Sequence, residues 1–262
     1  MSTLTAPVQQ SAKADEISRV PLSRLLRVEM RKITDTRAGK WLLISIAAIT
    51  ALVVVIFLFA GNESDLTFNN FLTATGSPQG YLLPVLGVLA ITSEWSQRTG
   101  LVTFTLEPSR SRVVVAKFIA MVLFGLAAVA VAFALAAGGN LLGIMLQGGD
   151  GSWHYAAGWV GEVGIGQLIG IIEGLAFGML FMSSAAAIVV YFVAPIASSV
   201  LFDVVSWLHG AAPWVDLNNA TTPLFNHDMT GAAWLHLGVA VCIWVVAPLA
   251  VGVVRLMRSE VK

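Results

Sequence analysis

Three carboxylates stand where an apolar chain accommodates them least: Glu162, Glu173 and Asp203, each inside a long hydrophobic run. Glu162 and Glu173 are eleven residues apart, three helical turns, so a helix would carry both on one face. Ionisable groups at membrane depth are costly unless they meet a wet cavity or a partner. Beside them run Gly166, Gly170, Gly174 and Gly178, a four-residue ladder that lets a second helix approach closely. This helix is therefore expected to line a polar path or a seam between subunits. The alternative leaves Glu162 at the interface and Glu173 satisfied by a neighbouring helix.

Catalytic signatures are missing. No G-x-x-x-x-G-K-[ST] phosphate loop occurs, since Gly39-Lys40 has neither the upstream glycine nor a following hydroxyl residue. The chain is thus not expected to hydrolyse ATP by itself. H-E-x-x-H, G-x-S-x-G and cysteine pairs are also absent, and His154, His209, His227 and His236 are scattered, which argues against a catalytic or metal site. Cys242, the single cysteine, is expected to be a small buried apolar residue.

The elements that must position these groups follow from composition. Of 262 residues, 57% are hydrophobic and 11% charged, with a mean hydropathy of +0.82. A soluble domain is about a quarter charged, whereas a helix crossing lipid needs ~20 apolar residues. The expected fold is all-α integral membrane, with six transmembrane helices at 41–60, 76–93, 113–146, 159–182, 185–208 and 232–254. The third is longer than a crossing needs, so it is tilted, protrudes, or is interrupted at Gly138-Gly139. Outer loops 61–78, 147–158 and 209–231 are short, and the last is a candidate to dip back into the bilayer.

Residues 1–16 are polar and read as a disordered tail. Residues 17–40 read as an N-terminal interfacial amphipathic helix and elbow. Leu22, Leu25, Leu26, Met30 and Ile33 share one side, and Arg24, Arg27 and Arg31 the other.

Charge placement sets the orientation. Eight of the fifteen Lys and Arg lie in residues 1–40; the others are Arg98, Arg110, Arg112, Lys117, Arg255, Arg258 and Lys262. With six spans all of these fall on one side, and the other side holds Glu63, Asp65, Asp150, Asp216 and Asp228. The positive-inside rule then places both termini, tail 255–262 included, in the cytoplasm of a multi-pass plasma-membrane protein. Lys117 would snorkel to the surface. Trp41 and Trp95 would mark the inner boundary, and Trp153, Trp159, Trp207, Trp214 and Trp234 the outer one.

One polar segment, 94–112, EWSQRTGLVTFTLEPSRSR, separates the second and third spans. It resembles, together with LRVEMRKITDTRAGKW in the arm, bacterial and especially actinobacterial permeases of the type-2 ATP-binding-cassette exporter family. In the arm the resemblance rests on Glu29, Lys32 and Arg37. In the loop it rests on Glu94, Arg98, Thr99, Gly100, Pro108, Arg110 and Lys117. The resemblance implies a dimer, of this chain or of this chain with a similar permease, and separate nucleotide-binding ATPase subunits that hold ATP and Mg. This chain itself would hold no cofactor and bind no nucleic acid, and its other partners would be membrane lipids. Loop 94–112 would be the ATPase-coupling loop, with Gly100 allowing a turn and Pro108 ending a short helix. The cargo would be an amphipathic or lipophilic solute: a drug, a peptide, a lipid-like molecule or an ion. A proton-coupled secondary carrier working through Glu162, Glu173 and Asp203 is the alternative, and a non-transporting scaffold or immunity protein a third.

Overall fold

The structure, a computed structural model, describes residues 20–96, 109–149, 151–154 and 157–258. Arg98, Thr99, Gly100 and Pro108, together with residues 1–16, lie outside the described residues.

The first element, α1 (Leu22–Asp35), is amphipathic: Arg24, Arg27 and Arg31 are exposed, Leu25, Leu26 and Met30 are half-buried, and Glu29 and Ile33 are buried. It ends at Thr36, whose extended backbone turns the chain and whose Oγ accepts from Gly39 N to cap α2 (Arg37–Ala60). A β-carbon at Gly39 would fall 2.0 Å from the Ile33 carbonyl oxygen, so the elbow needs a glycine there. Arg37 is exposed on the first turn of α2.

The remaining long elements are α3 (Phe68–Ser96), α4 (Arg110–Gln147), α5 (Ala157–Phe181), α6 (Ser184–Val204) and α8 (Gly231–Arg258). Five helices, α2, α4, α5, α6 and α8, are long and apolar enough to cross a membrane. Outward faces carry Leu52, Phe59, Leu126, Ile165, Val193, Ile196 and Val251, all exposed. Apolar side chains turned outward on every one of these helices make the bundle a multi-pass membrane protein rather than a water-soluble one.

Helix α3 differs from the other five. It has 29 residues but includes Asn69, Asn70, Thr73, Thr75, Ser77 and Gln79, and it contains Pro78 and Pro84. It packs in the middle, against α2, α4, α5 and α6. Protein neighbours help satisfy its polar groups: Thr75 donates to its own turn at Leu72 and to Ala132 of α4, at 3.0 and 3.3 Å. Most of segment 61–78, expected as loop, is therefore the start of this helix.

No break occurs at Gly138-Gly139, because α4 runs continuously from Arg110 to Gln147. Gly139 instead makes room for the Phe71 ring, which would lie 2.6 Å from an added β-carbon. The break is in α8, where a π-helical turn, Cys242–Val246, precedes Pro248. Proline lacks the N–H that an unbroken ladder requires there. The turn directs Trp244 inward, where its indole N–H donates to Val215 O at 2.7 Å, and it leaves Cys242 exposed rather than buried as expected.

Segment 209–231 folds back into the bundle. A 3-10 turn (Ser206–Ala211) and a short turn (Ala212–Val215) lead to α7 (Leu217–Asn226), whose Leu217, Ala220 and Leu224 are buried against the long helices. Asp216, expected in an outer loop, is buried and is its anchor. The carboxylate caps α7 through Asn218 N and accepts from Ser198 and Ser199 of α6, at 3.3 and 2.8 Å. These serines lie more than a helical turn before the end of α6, so the hairpin reaches inward beside it.

Candidate functional site

Two sites emerge, one at each end of the bundle. At the end where α1 meets the last turn of α3 and the first turns of α4, four charged residues converge. Lys32 Nζ lies 2.8 Å from Glu29 Oε1 and 2.8 Å from Glu94 Oε1. Lys117 Nζ lies 2.5 Å from Glu29 Oε2, 3.1 Å from Glu94 Oε1, and donates to Ala90 O at 3.0 Å. Two cations and two carboxylates cancel, and each ammonium bridges both acids. Glu29, Glu94 and Lys117 are 4%, 2% and 3% exposed.

This placement corrects one expectation. Lys117 does not snorkel; it is buried among the acids that neutralise it. Glu94, placed by the resemblance in the coupling segment, has its carboxylate turned into the bundle, where it fixes the end of α3. Burial alone would lower the Lys32 pKa, but Glu94 and Glu29 outweigh it and hold the ammonium above the ordinary lysine value of 10.5.

Other basic residues at this end act as staples between helix termini. Arg110 donates to Leu256 O at 2.7 Å, tying the start of α4 to the end of α8. Arg255 reaches Leu180 O at 2.5 Å, tying α8 to the end of α5, and Arg112 bonds Val20 O. Cations suit the Leu256 and Leu180 positions because helix C-termini present unpaired carbonyls and the negative end of the dipole. Thr92 and Ser184 share a 2.7 Å hydrogen bond that places the start of α6 here too. Among the described residues every Lys and Arg lies at this end.

Toward the other end a cavity of about 300 Å³ opens between α3, α5, α6 and α7. Thr73, Ser77 and Tyr81 of α3 border it on an exposed face, and Gln167 and Glu173 of α5, Tyr191 of α6, and Phe225 of α7 form its wall. Pro84 has no N–H to give to the Gly80 carbonyl one turn earlier, and the Tyr191 hydroxyl donates to that carbonyl at 3.5 Å. Gln167 Nε2 donates to Gly76 O at 3.0 Å, but its Oε1 has no partner among the described residues. Glu173 is 4% exposed and its Oε1 is likewise unpartnered.

The glycine ladder is a seam within the chain, not between subunits. An added β-carbon would lie 2.0 Å from Pro84 O at Gly174, 3.3 Å from Pro84 Cγ at Gly170, and 3.0 Å from Val88 O at Gly178, all on α3. Gly166 receives the Phe225 ring of α7. The seam is reciprocal, since a β-carbon at Gly87 of α3 would fall 2.4 Å from Ile171 O. Sequence reasoning misses Gly87 because one glycine in a helix shows nothing until its partner is known; Gly80, Pro84 and Gly87 together are the available signal.

The intramembrane carboxylates part company. Glu162 pairs with His227 Nδ1 at 2.6 Å near the mouth of the cavity. Asp203 is exposed, and Glu173 alone is buried. Trp159, expected in an outer aromatic belt, is instead 5% exposed behind α7 and donates to Phe225 O at 2.9 Å. A scan of the sequence against protein-family models finds no match, and a search of curated proteins finds none either.

Proposed function

We propose that this chain is the permease subunit of an ATP-driven ATP-binding-cassette exporter. It works as a dimer, with itself or a similar subunit, on separate ATPase subunits that bind ATP and Mg. α3 is its sixth crossing, α1 lies in the membrane interface, both termini are in the cytoplasm, and the membrane is the plasma membrane. The cargo is an amphipathic or lipophilic solute moved outward.

One observation carries this reading. Four of the positions on which the resemblance rests, Glu29, Lys32, Glu94 and Lys117, are up to 88 residues apart in sequence and meet in one buried cluster. The cluster clamps the elbow helix, the end of α3 and the start of α4 together. Glu94 and the stapled Arg110 thus fix the two helix ends that flank residues 97–108 in the sequence. A force on that segment would move three helices as one body, and the close seam between α3 and α5 would carry it to the cavity. A second copy suits the exposed face of Thr73, Ser77 and Tyr81, where Tyr81 is 66% exposed. Hydroxyl groups on a membrane helix are better covered by protein than by lipid.

Glu173 also suits a proton-coupled carrier, which would need no partner. Co-expression with an ATPase subunit encoded beside this chain separates the two. The export reading expects a stable complex whose ATPase activity falls on Arg98→Glu, while the protein stays in the membrane. Transport that collapses with a protonophore and ignores ATP would establish the carrier instead.

A further inference from the structure

We infer that the cavity between α3, α5, α6 and α7 binds a lipophilic organic monocation, with Glu173 as its counter-ion. A pocket of about 300 Å³ is of the size that takes a small organic molecule. Its unmet groups are both acceptors: Glu173 Oε1 and Gln167 Oε1 lack donors among the described residues. The Gln167 orientation is set by its partner, because the Gly76 carbonyl can only accept and so must face Nε2. The missing partner is therefore a donor, and beside a carboxylate a cationic one.

The described residues offer none of their own. No lysine, arginine or histidine among them lines the cavity, and every described Lys and Arg lies at the opposite end. An anion would meet Glu173 with no compensating charge. A metal ion would need more oxygen ligands than one carboxylate supplies, and among the described residues no group of three His, Cys, Asp or Glu gathers to hold one. Tyr81, Trp159, Tyr191 and Phe225 give the cavity aromatic surface, which attracts organic cations through ring faces and accepts their apolar parts.

The inference names the solute class for the export reading and rests on it, but its test is binding alone, so the two fail separately. Full-length protein in lipid nanodiscs is titrated with ethidium, a planar aromatic monocation with amine N–H donors, and with Nile red, a neutral dye of similar size. Empty nanodiscs provide the baseline. Wild type should bind ethidium saturably and more tightly than Nile red. Glu173→Gln, which keeps the shape and removes the charge, should weaken ethidium by about tenfold or more and leave Nile red unchanged. Ethidium affinity that is equal in the two proteins overturns the inference. So does a wild type that prefers Nile red, a comparison that needs no variant and decides the matter if Glu173→Gln fails to assemble.

Discussion

Lys117 sits 3% exposed between Glu29 and Glu94, where its ammonium is the only described group bridging both acids from α4. Removing one member of a buried ion cluster leaves an uncompensated charge, which costs about 3–5 kcal/mol, whereas removing a pair costs far less. Lys117→Met should therefore lower the thermal unfolding temperature in detergent sharply. The double variant Glu29→Gln, Lys117→Met should recover part of the loss. A single variant as stable as wild type would mean that the cluster does not hold α1, α3 and α4 together. Lys32 is a weaker link, because its half-buried ammonium retains some contact with water.

At the scale of elements, the decisive contact is the seam between α3 and α5. Gly174 faces the Pro84 carbonyl at a distance no side chain tolerates, and Gly87 returns the contact at Ile171. Gly161, one turn into α5, would have nothing within 4 Å of an added β-carbon. Glycine in a helix is disfavoured against alanine by about 1 kcal/mol when nothing else intervenes. Gly161→Ala should thus be neutral or slightly stabilising, and Gly174→Ala should destabilise by separating the helices. Equal unfolding temperatures for the two variants would refute the close approach. The same seam explains how α3 keeps its polar residues and two prolines: its neighbours are protein, so Tyr191 reaches the Gly80 carbonyl that Pro84 deprives of a helical donor, and Gln167 donates to the Gly76 carbonyl.

For the whole molecule, the two ends differ in charge. Basic residues staple helix C-termini at one end, while Glu162, His227 and the base of α7 occupy the other. If the basic end is cytoplasmic, a single cysteine at Asp228, introduced on a Cys242→Ser background, should react with an impermeant maleimide added to intact cells. A cysteine at exposed Thr34 should react only after the membrane is opened. The reverse pattern would invert the topology and remove the export reading with it.

Much of this was legible in the residues themselves. Apolar runs of spanning length, the one-sided distribution of Lys and Arg, the arginine face of α1 and the glycine ladder depend on local composition and helical periodicity, which act over a few turns of chain. Their positions were therefore readable, with boundaries shifted by a few residues, except at α3, which begins at Phe68 rather than at 76. What neighbours each face met was not. The sequence supplied a ladder at Gly166, Gly170, Gly174 and Gly178 but not α3 as its partner; a lysine near a helix start but not the two acids that bury it; and Asp216 in a loop but not Ser198 and Ser199 waiting within α6. By itself the chain determined that helices form and which end carries the positive charge, because hydropathy and backbone satisfaction in lipid leave few other solutions. Only the tertiary structure decided that Glu29, Lys32, Glu94 and Lys117 share one cluster and that Glu173 lines a cavity with no other charged side chain among the described residues. Pairing of charges across 62 to 88 residues depends on how helices pack, and packing is settled by shape complementarity between faces that no single segment contains.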